Sequence, residues 1–227
     1  MAQLELFIGT RAWSSWSLRP WLALKATGAP FKETLIELRT PQSKAEFLKH
    51  SPAGKVPILK VDGFAIWDSL AICEYLAEAF PAAKLWPADP IARARARSVS
   101  AEMHAGFTAL RTAMPMNLKL RLKGKPASPE VQRDIDRVVE IWEEARTWFA
   151  TGDGPWLFGD FSVADAMFAP VACRFDIYNV PLPSVAAAYR DAILAHPALL
   201  EWRAAGLLES EAHAHYDRLA DEYGGPR

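Results

Sequence analysis

The pattern of apolar and polar positions divides the chain into a mixed first part and a helical remainder. Leu4–Ile8 is a short apolar run read as a strand, and Gly9 to Ser17 follows as a loop rich in Ser and Trp. Leu18–Ala26 (LRPWLALKA) has helical spacing, with Pro20 admissible in a first turn and Gly28 as the stop. Ser17, just ahead of Leu18, is the expected cap of that helix. Thr34–Leu38 alternates as a strand, and Lys44–His50 reads as a short helix closed by Ser51-Pro52-Ala53-Gly54. Val56–Val61 and Phe64–Trp67 flank Asp62-Gly63, a strong hairpin signal. Ser69–Phe80 places Leu70, Cys73, Leu76 and Ala77 on one side of a helix. The predicted order is β-α-β-α-β-β-α, with a hairpin only at its end.

Pro81, Pro87 and Pro90 then mark a linker, and everything beyond it has helical spacing. Ile91–Leu122 is long and Ala-rich, and Gly124 to Pro129 breaks it. Glu130–Ala150, Val163–Tyr178 and Ser184–Leu208 complete the set, while Asp217–Arg227 reads as a polar tail. The expected organisation is an α/β domain over residues 1–80, a linker over 81–89 and an all-helical domain over 90–227. Ser162 and Asp165 have the spacing of a capping box at the start of one helix, a folding element without chemistry of its own.

Charge and composition remove several function classes. The 26 basic and 27 acidic side chains leave a formal net charge of −1 over 227 residues, which is no footprint for bulk nucleic-acid binding. The longest uncharged stretch, Ile177 to Tyr189, is 13 residues with two prolines, short of the ~20 a membrane helix needs. The opening MAQLELFIGT carries Glu5 and no basic stretch, so a cytoplasmic protein is expected. Cys73 and Cys173 each fall in an apolar helical segment, which reads as two buried small side chains rather than a disulfide or a zinc site. The five histidines have no metal-ligand spacing, and His213 and His215 fall in the tail-like segment. No metal is expected. Arg93, Arg95 and Arg97 read as a solvated helix face or a dimer edge.

Chemistry concentrates in two places. Val56-Pro57 opens a strand whose first backbone groups stay open to another partner, because proline donates nothing to a ladder. Asp68-Ser69 opens a helix, where free N–H groups and the dipole favour an anion, although simple N-capping is the readier explanation of the pair taken alone. The loop Trp13-Ser14-Ser15-Trp16-Ser17-Leu18-Arg19 offers three hydroxyls just before a helix, a setting that can hold a thiolate.

Taken together, FLKHSPAGKVPIL, the Asp-Gly hairpin and DSLAICEYL resemble the glutathione-binding half of the cytosolic glutathione transferases. That resemblance implies a thioredoxin-like N-terminal domain followed by a helical-bundle domain, with glutathione as co-substrate and a homodimeric assembly. It implies that Pro57 is a cis-proline, that Val56 pairs its backbone with the cysteinyl part of glutathione, and that Lys55 lies beside it. Ser69 is then expected to hold the γ-glutamyl carboxylate. Asp68, where the family usually has Glu or Gln, is expected to accept from the γ-glutamyl ammonium. The stretch SSWSLR resembles the SSCSWR of the zeta class, which carries the thiolate-holding serine over to Ser14, with Ser15 next in line. Trp16 replaces that class's cysteine, an argument against thiol–disulfide chemistry. The second-substrate pocket is expected to involve Met103, His104, Phe107, Arg111, Met114 and Met116, with Arg174 near the position of a zeta-class arginine.

The leading expectation is therefore a glutathione transferase that directs a serine-held thiolate at a small apolar electrophile. Two alternatives stand beside it. One is a zeta-like isomerase or dehalogenase of a carboxylated substrate, and the other is a non-catalytic binding protein on the same fold.

Overall fold

The computed structural model describes residues 2–150, 154–210 and 214–225; His213 and the side chain of His215 lie outside them. The first part follows the predicted order: β1 (Leu4–Gly9), α1 (Ser15–Thr27), β2 (Lys32–Ile36), α2 (Ser43–Leu48), β3 (Ile58–Val61), β4 (Phe64–Trp67) and α3 (Ser69–Ala79). The strands form one sheet in the order β2-β1-β3-β4, parallel between β1 and β2 and antiparallel elsewhere. Alternation along β1 sorts its side chains. Leu4, Leu6 and Ile8 join Leu22, Ile72 and Leu76 in the main core, while Phe7 joins Ile36, Phe47 and Ile58 in a second cluster.

The remainder is α4 (Pro90–Ala105), α5 (Thr108–Ala113), α6 (Pro129–Trp148), α7 (Val163–Ile177), α8 (Ser184–Ala195), α9 (Pro197–Leu207) and α10 (Ala214–Tyr223). Helix α7 is buried along almost its whole length and packs on α1, α4 and α8, so the two parts share one core. The capping box at its start forms as expected. Asp165 accepts from the Ser162 N–H at 2.8 Å and hydroxyl at 2.9 Å, the Leu157 N–H at 3.1 Å and the Tyr189 hydroxyl at 3.0 Å. Burial pushes its carboxyl up, and those donors oppose the shift.

Several boundaries differ from the expectation, each for a local reason. Helix α1 starts at Ser15, and its cap is Ser14 rather than Ser17, so Pro20 lies past the first turn. The segment 91–122 is not one helix: it stops at Ala105, where Gly106 turns to extended backbone and Phe107 takes a positive φ of 56°. Residues 184–208 split at His196-Pro197, where the residue before proline is driven out of the helical region. The polar tail is in fact α10, which buries Leu219 and Ala220. Within the linker, Leu85 and Trp86 are buried and the Leu85 carbonyl accepts from the Val163 N–H at 2.9 Å.

The basic run is internally paired. Arg95 bridges Glu144, Arg97 reaches Glu74 at 3.2 Å, and Arg93 donates to the Pro87 and Ala88 carbonyls. Both cysteines are free and buried; burial raises both thiols, that of Cys173 to about 12. Among the described residues, no helix is long and apolar enough to cross a membrane, and no group of His, Cys, Asp and Glu could hold a metal ion.

Candidate active site

Two adjoining clefts open where the sheet meets the helices. The first, of about 450 Å³, is bounded by Lys55, Val56, Pro57, Trp67, Asp68 and Ser69, with Trp16 at its edge. The Val56–Pro57 peptide is cis. Asp68 holds a positive φ of 77°, a conformation that costs a non-glycine residue on the order of 1–3 kcal/mol. Its Oδ1 accepts from the Leu70 N–H at 2.9 Å and the Ala71 N–H at 3.2 Å, capping α3. Its Oδ2 lies 3.1 Å from His104 Nε2. The sequence gives no hint of that last contact, since His104 comes from α4. Ser69 is only 1% exposed and its hydroxyl has no hydrogen-bond partner, although it faces the cleft. An unsatisfied hydroxyl at a helix N-terminus is suited to a carboxylate, so the residues present fit the γ-glutamyl end of glutathione.

The second cleft, of about 350 Å³, shares Trp16, Lys55 and Val56 with the first. Ser14 and Ser15 line it together with Arg111 and Arg174. The two serines differ in what their hydroxyls do. Ser14 Oγ donates to Ser17 Oγ at 2.8 Å and accepts weakly from the Ser17 N–H at 3.4 Å. Ser17 Oγ in turn accepts from the Gly9 N–H at 3.1 Å, so both are tied into the start of α1. Ser15 Oγ accepts from Arg174 Nη2 at 3.3 Å, which leaves its own proton to donate elsewhere. Arg174 is held in place by the Met114 carbonyl at 2.8 Å and the Pro170 carbonyl at 3.2 Å.

Of the other expected pocket residues, Met116 lines the second cleft and His104 borders the first through Asp68. Met103 and Met114 are completely buried and Phe107 nearly so; these three fill the core and line neither cleft. Their helical spacing is that of core positions, which is why spacing alone could not assign them.

Two residues matter to which the sequence assigns no place in the site. Trp16 carries the Arg19 guanidinium 4.3 Å and the Arg111 guanidinium 4.6 Å from its ring centre, and meets the His104 ring edge-on. Arg19 is 1% exposed, with Nε and Nη1 unpartnered. Burial, with Arg174 and Arg111 nearby, pushes its guanidinium down to about 9, so it remains a cation at neutral pH. Trp16, common to both clefts, thus has two guanidinium cations against its ring, the right sign for a thiolate or a carboxylate nearby.

Residues 13–79 match the model for the glutathione S-transferase N-terminal domain, and residues 125–205 match that for the C-terminal domain. A probable maleylacetoacetate isomerase of Caenorhabditis elegans is 32% identical over 182 residues, covering 77% of this chain and 81% of its own. The chain belongs to the glutathione S-transferase family. A maleylacetoacetate isomerase of Pseudomonas aeruginosa is 31% identical over 205 residues, covering 86% of this chain and 93% of its own. In fold, the chain superposes on a glutathione-bound glutathione transferase homologue from Burkholderia with a TM-score of 0.68 at 24% identity, covering 90% and 97% of the two chains. Members of this family are glutathione-dependent enzymes with glutathione as co-substrate. The N-terminal match spans Ser14, Ser15, Lys55, Val56, Pro57, Asp68 and Ser69, and the C-terminal match spans Arg174; Arg111 lies outside both.

Proposed function

We propose that this transferase is a zeta-like, glutathione-dependent isomerase of an unsaturated, carboxylated substrate. The observation that carries the reading is the Arg174 guanidinium in contact with Ser15 inside a cleft that Arg111 also lines. Relatives that are named maleylacetoacetate isomerase support it. A small apolar electrophile, the leading expectation from sequence, gives no use to two arginines in the second cleft and is the weaker reading.

Glutathione supplies a thiolate that can add to a conjugated double bond and leave again after rotation. The chain's own residues do the rest. Ser69 takes the γ-glutamyl carboxylate on its unpartnered hydroxyl, Asp68 takes the ammonium on Oδ2, and Val56 offers its backbone beside Pro57, with Lys55 flanking. Ser15 donates its free proton to the sulfur, and the Arg174 N–H on its oxygen strengthens that donation by polarising the O–H. Ser14 serves as the helix cap and second hydroxyl. Arg174 and Arg111 fix the substrate's carboxylates, which orients the double bond over the sulfur. Ordinary thiol ionisation lies near ~8.5, and each unit of depression represents about 1.4 kcal/mol of thiolate stabilisation.

We further propose the division into residues 1–80, 81–89 and 90–227, and a homodimer. Phe64 at the hairpin tip is 80% exposed, and Ile91 and Trp148 on the helical part are 69% and 77% exposed. Apolar side chains this open favour burial in an assembly.

The deciding experiment is a substrate panel with glutathione: a cis-unsaturated diacid, a haloacid and an uncharged aromatic electrophile. Isomerisation of the diacid without consumption of glutathione is the expected result. Turnover of the aromatic electrophile alone would reject the proposal.

A further inference from the structure

The loop that carries the reactive hydroxyls is held from the far end of the chain. Residues 10–13 join β1 to α1 and belong to neither. Glu209, two positions beyond the end of α9, reaches back to them. Its Oε1 accepts from the Arg11 N–H at 2.8 Å and its Oε2 from the Ala12 N–H at 2.9 Å. The same loop's carbonyls are also taken: Arg11 C=O accepts from the Trp202 indole at 3.0 Å, and Ala12 C=O from the Leu118 N–H at 3.0 Å. The Glu209 side chain is 7% exposed, and the Arg11 guanidinium lies 3.5 Å from its Oε1. Lys119 donates to the Glu209 carbonyl, which fixes the residue from its other side. Immediately downstream, the Trp13 and Ser14 N–H groups both turn onto the Thr10 carbonyl. A displacement of the Arg11–Ala12 peptides therefore passes directly to Ser14 and Ser15.

We propose that Glu209 is a positioning residue for the thiolate-holding hydroxyls. One carboxylate gripping two successive backbone N–H groups sets both the position and the tilt of the loop, which a single bond could not do. The helical part of the chain thereby fixes the geometry of a site whose hydroxyls come from the α/β part. The inference rests on the reading that Ser15 holds the thiolate.

The test compares E209A and E209Q with S15A and S15A/E209A, reading the ultraviolet absorbance of bound glutathione thiolate against pH alongside steady-state kinetics. A misplacement of about 1 Å can cost about 100-fold in rate, so E209A is expected to lower kcat by about 10- to 100-fold with glutathione KM nearly unchanged. The bound thiol should titrate higher. E209Q, which keeps one acceptor oxygen, should recover part of both effects. The double variant should titrate like S15A alone, because the two changes act through one hydroxyl.

A gentler variant guards against a failure of E209A to fold. A Cβ at Gly206 would stand 3.2 Å from the Ala12 nitrogen, so G206A presses on the same loop while the Glu209 carboxylate is retained. It should shift the thiol titration in the same direction by a smaller amount. Folded E209Q and G206A proteins with the wild-type thiol titration would overturn the proposal. If S15A itself leaves the titration unchanged, the serine reading fails. A raised titration in E209Q would then still uphold the loop's placement by Glu209, and an unchanged one would reject it.

Discussion

Arg174 Nη2 donates to Ser15 Oγ across 3.3 Å, joining residues 159 positions apart in the sequence. The bond occupies a lone pair of Ser15 and leaves its proton for an incoming thiolate, whereas the Ser14 proton is committed to Ser17. S15A should therefore lower turnover at neutral pH far more than it weakens glutathione binding. The loss should shrink at alkaline pH, where the thiol ionises unaided. S14A should instead remove a helix cap, at a cost of about 0.5–2 kcal/mol of stability. A pH–rate profile for both variants separates the roles: wild-type rates in S15A with none in S14A would reverse the assignment.

Removing the Arg174 charge should change substrate choice. A hydrogen bond to a charged group contributes about 1.5–3 kcal/mol, so R174A should lose about 10- to 150-fold in kcat/KM on a carboxylated substrate. Because Arg174 also supports the Met114 and Pro170 carbonyls, the informative quantity is the ratio between carboxylated and uncharged substrates within one variant. An unchanged ratio would remove Arg174 from substrate recognition.

Asp68 both caps α3 and stands beside His104, and these tasks can be separated. D68N keeps a good capping residue while losing the charge. It should melt close to wild type yet bind glutathione more weakly by about 1.5–3 kcal/mol, the worth of a charge-assisted bond. Calorimetric titration showing wild-type affinity in D68N would leave the γ-glutamyl ammonium without this partner.

Much of this was legible in the chain. The apolar run Leu4–Ile8, the alternation over Thr34–Leu38 and the Asp62-Gly63 turn point to the sheet, and Val56-Pro57 with Asp68-Ser69 marks the first cleft. What escaped is non-local. His104 meets Asp68 only because α4 packs beside α3, and Ser15 meets Arg174 only because α7 crosses α1. Ser17 is the expected cap of α1 yet Ser14 takes that place, because three serines offer equivalent caps in sequence and the Ser17 hydroxyl is engaged by the Gly9 N–H. Met103, Met114 and Phe107 show the reverse difficulty, since an apolar helix face carries no mark that tells core from cleft.

Phe64 provides a direct handle on assembly. At 80% exposure on a hairpin tip it gains nothing in a monomer, so a dimer should bury it. Sedimentation at micromolar concentration should show a species of twice the chain mass, and F64D should shift it towards the monomer. A wild-type monomer under these conditions would contradict the proposed homodimer.

The last expectation concerns pH and the helix that leads to Glu209. His196 caps α9, its Nδ1 accepting from the Ala198 N–H at 3.2 Å, and its ring stacks on Phe161 at 4.5 Å. Only the neutral ring can accept at Nδ1, and a cation at a helix N-terminus is opposed by the dipole. Burial holds the imidazole below its ordinary value of 6.5. A depressed folded-state value means that the unfolded chain takes up the proton first. The stabilisation is therefore intact above about pH 6.5 and is lost as the pH falls through the folded-state value. H196N replaces the ring with a cap that does not titrate in this range. Melting temperatures recorded from neutral to mildly acidic pH should fall more steeply for the wild type than for H196N. Parallel curves would show that His196 contributes nothing to the acid sensitivity of the fold.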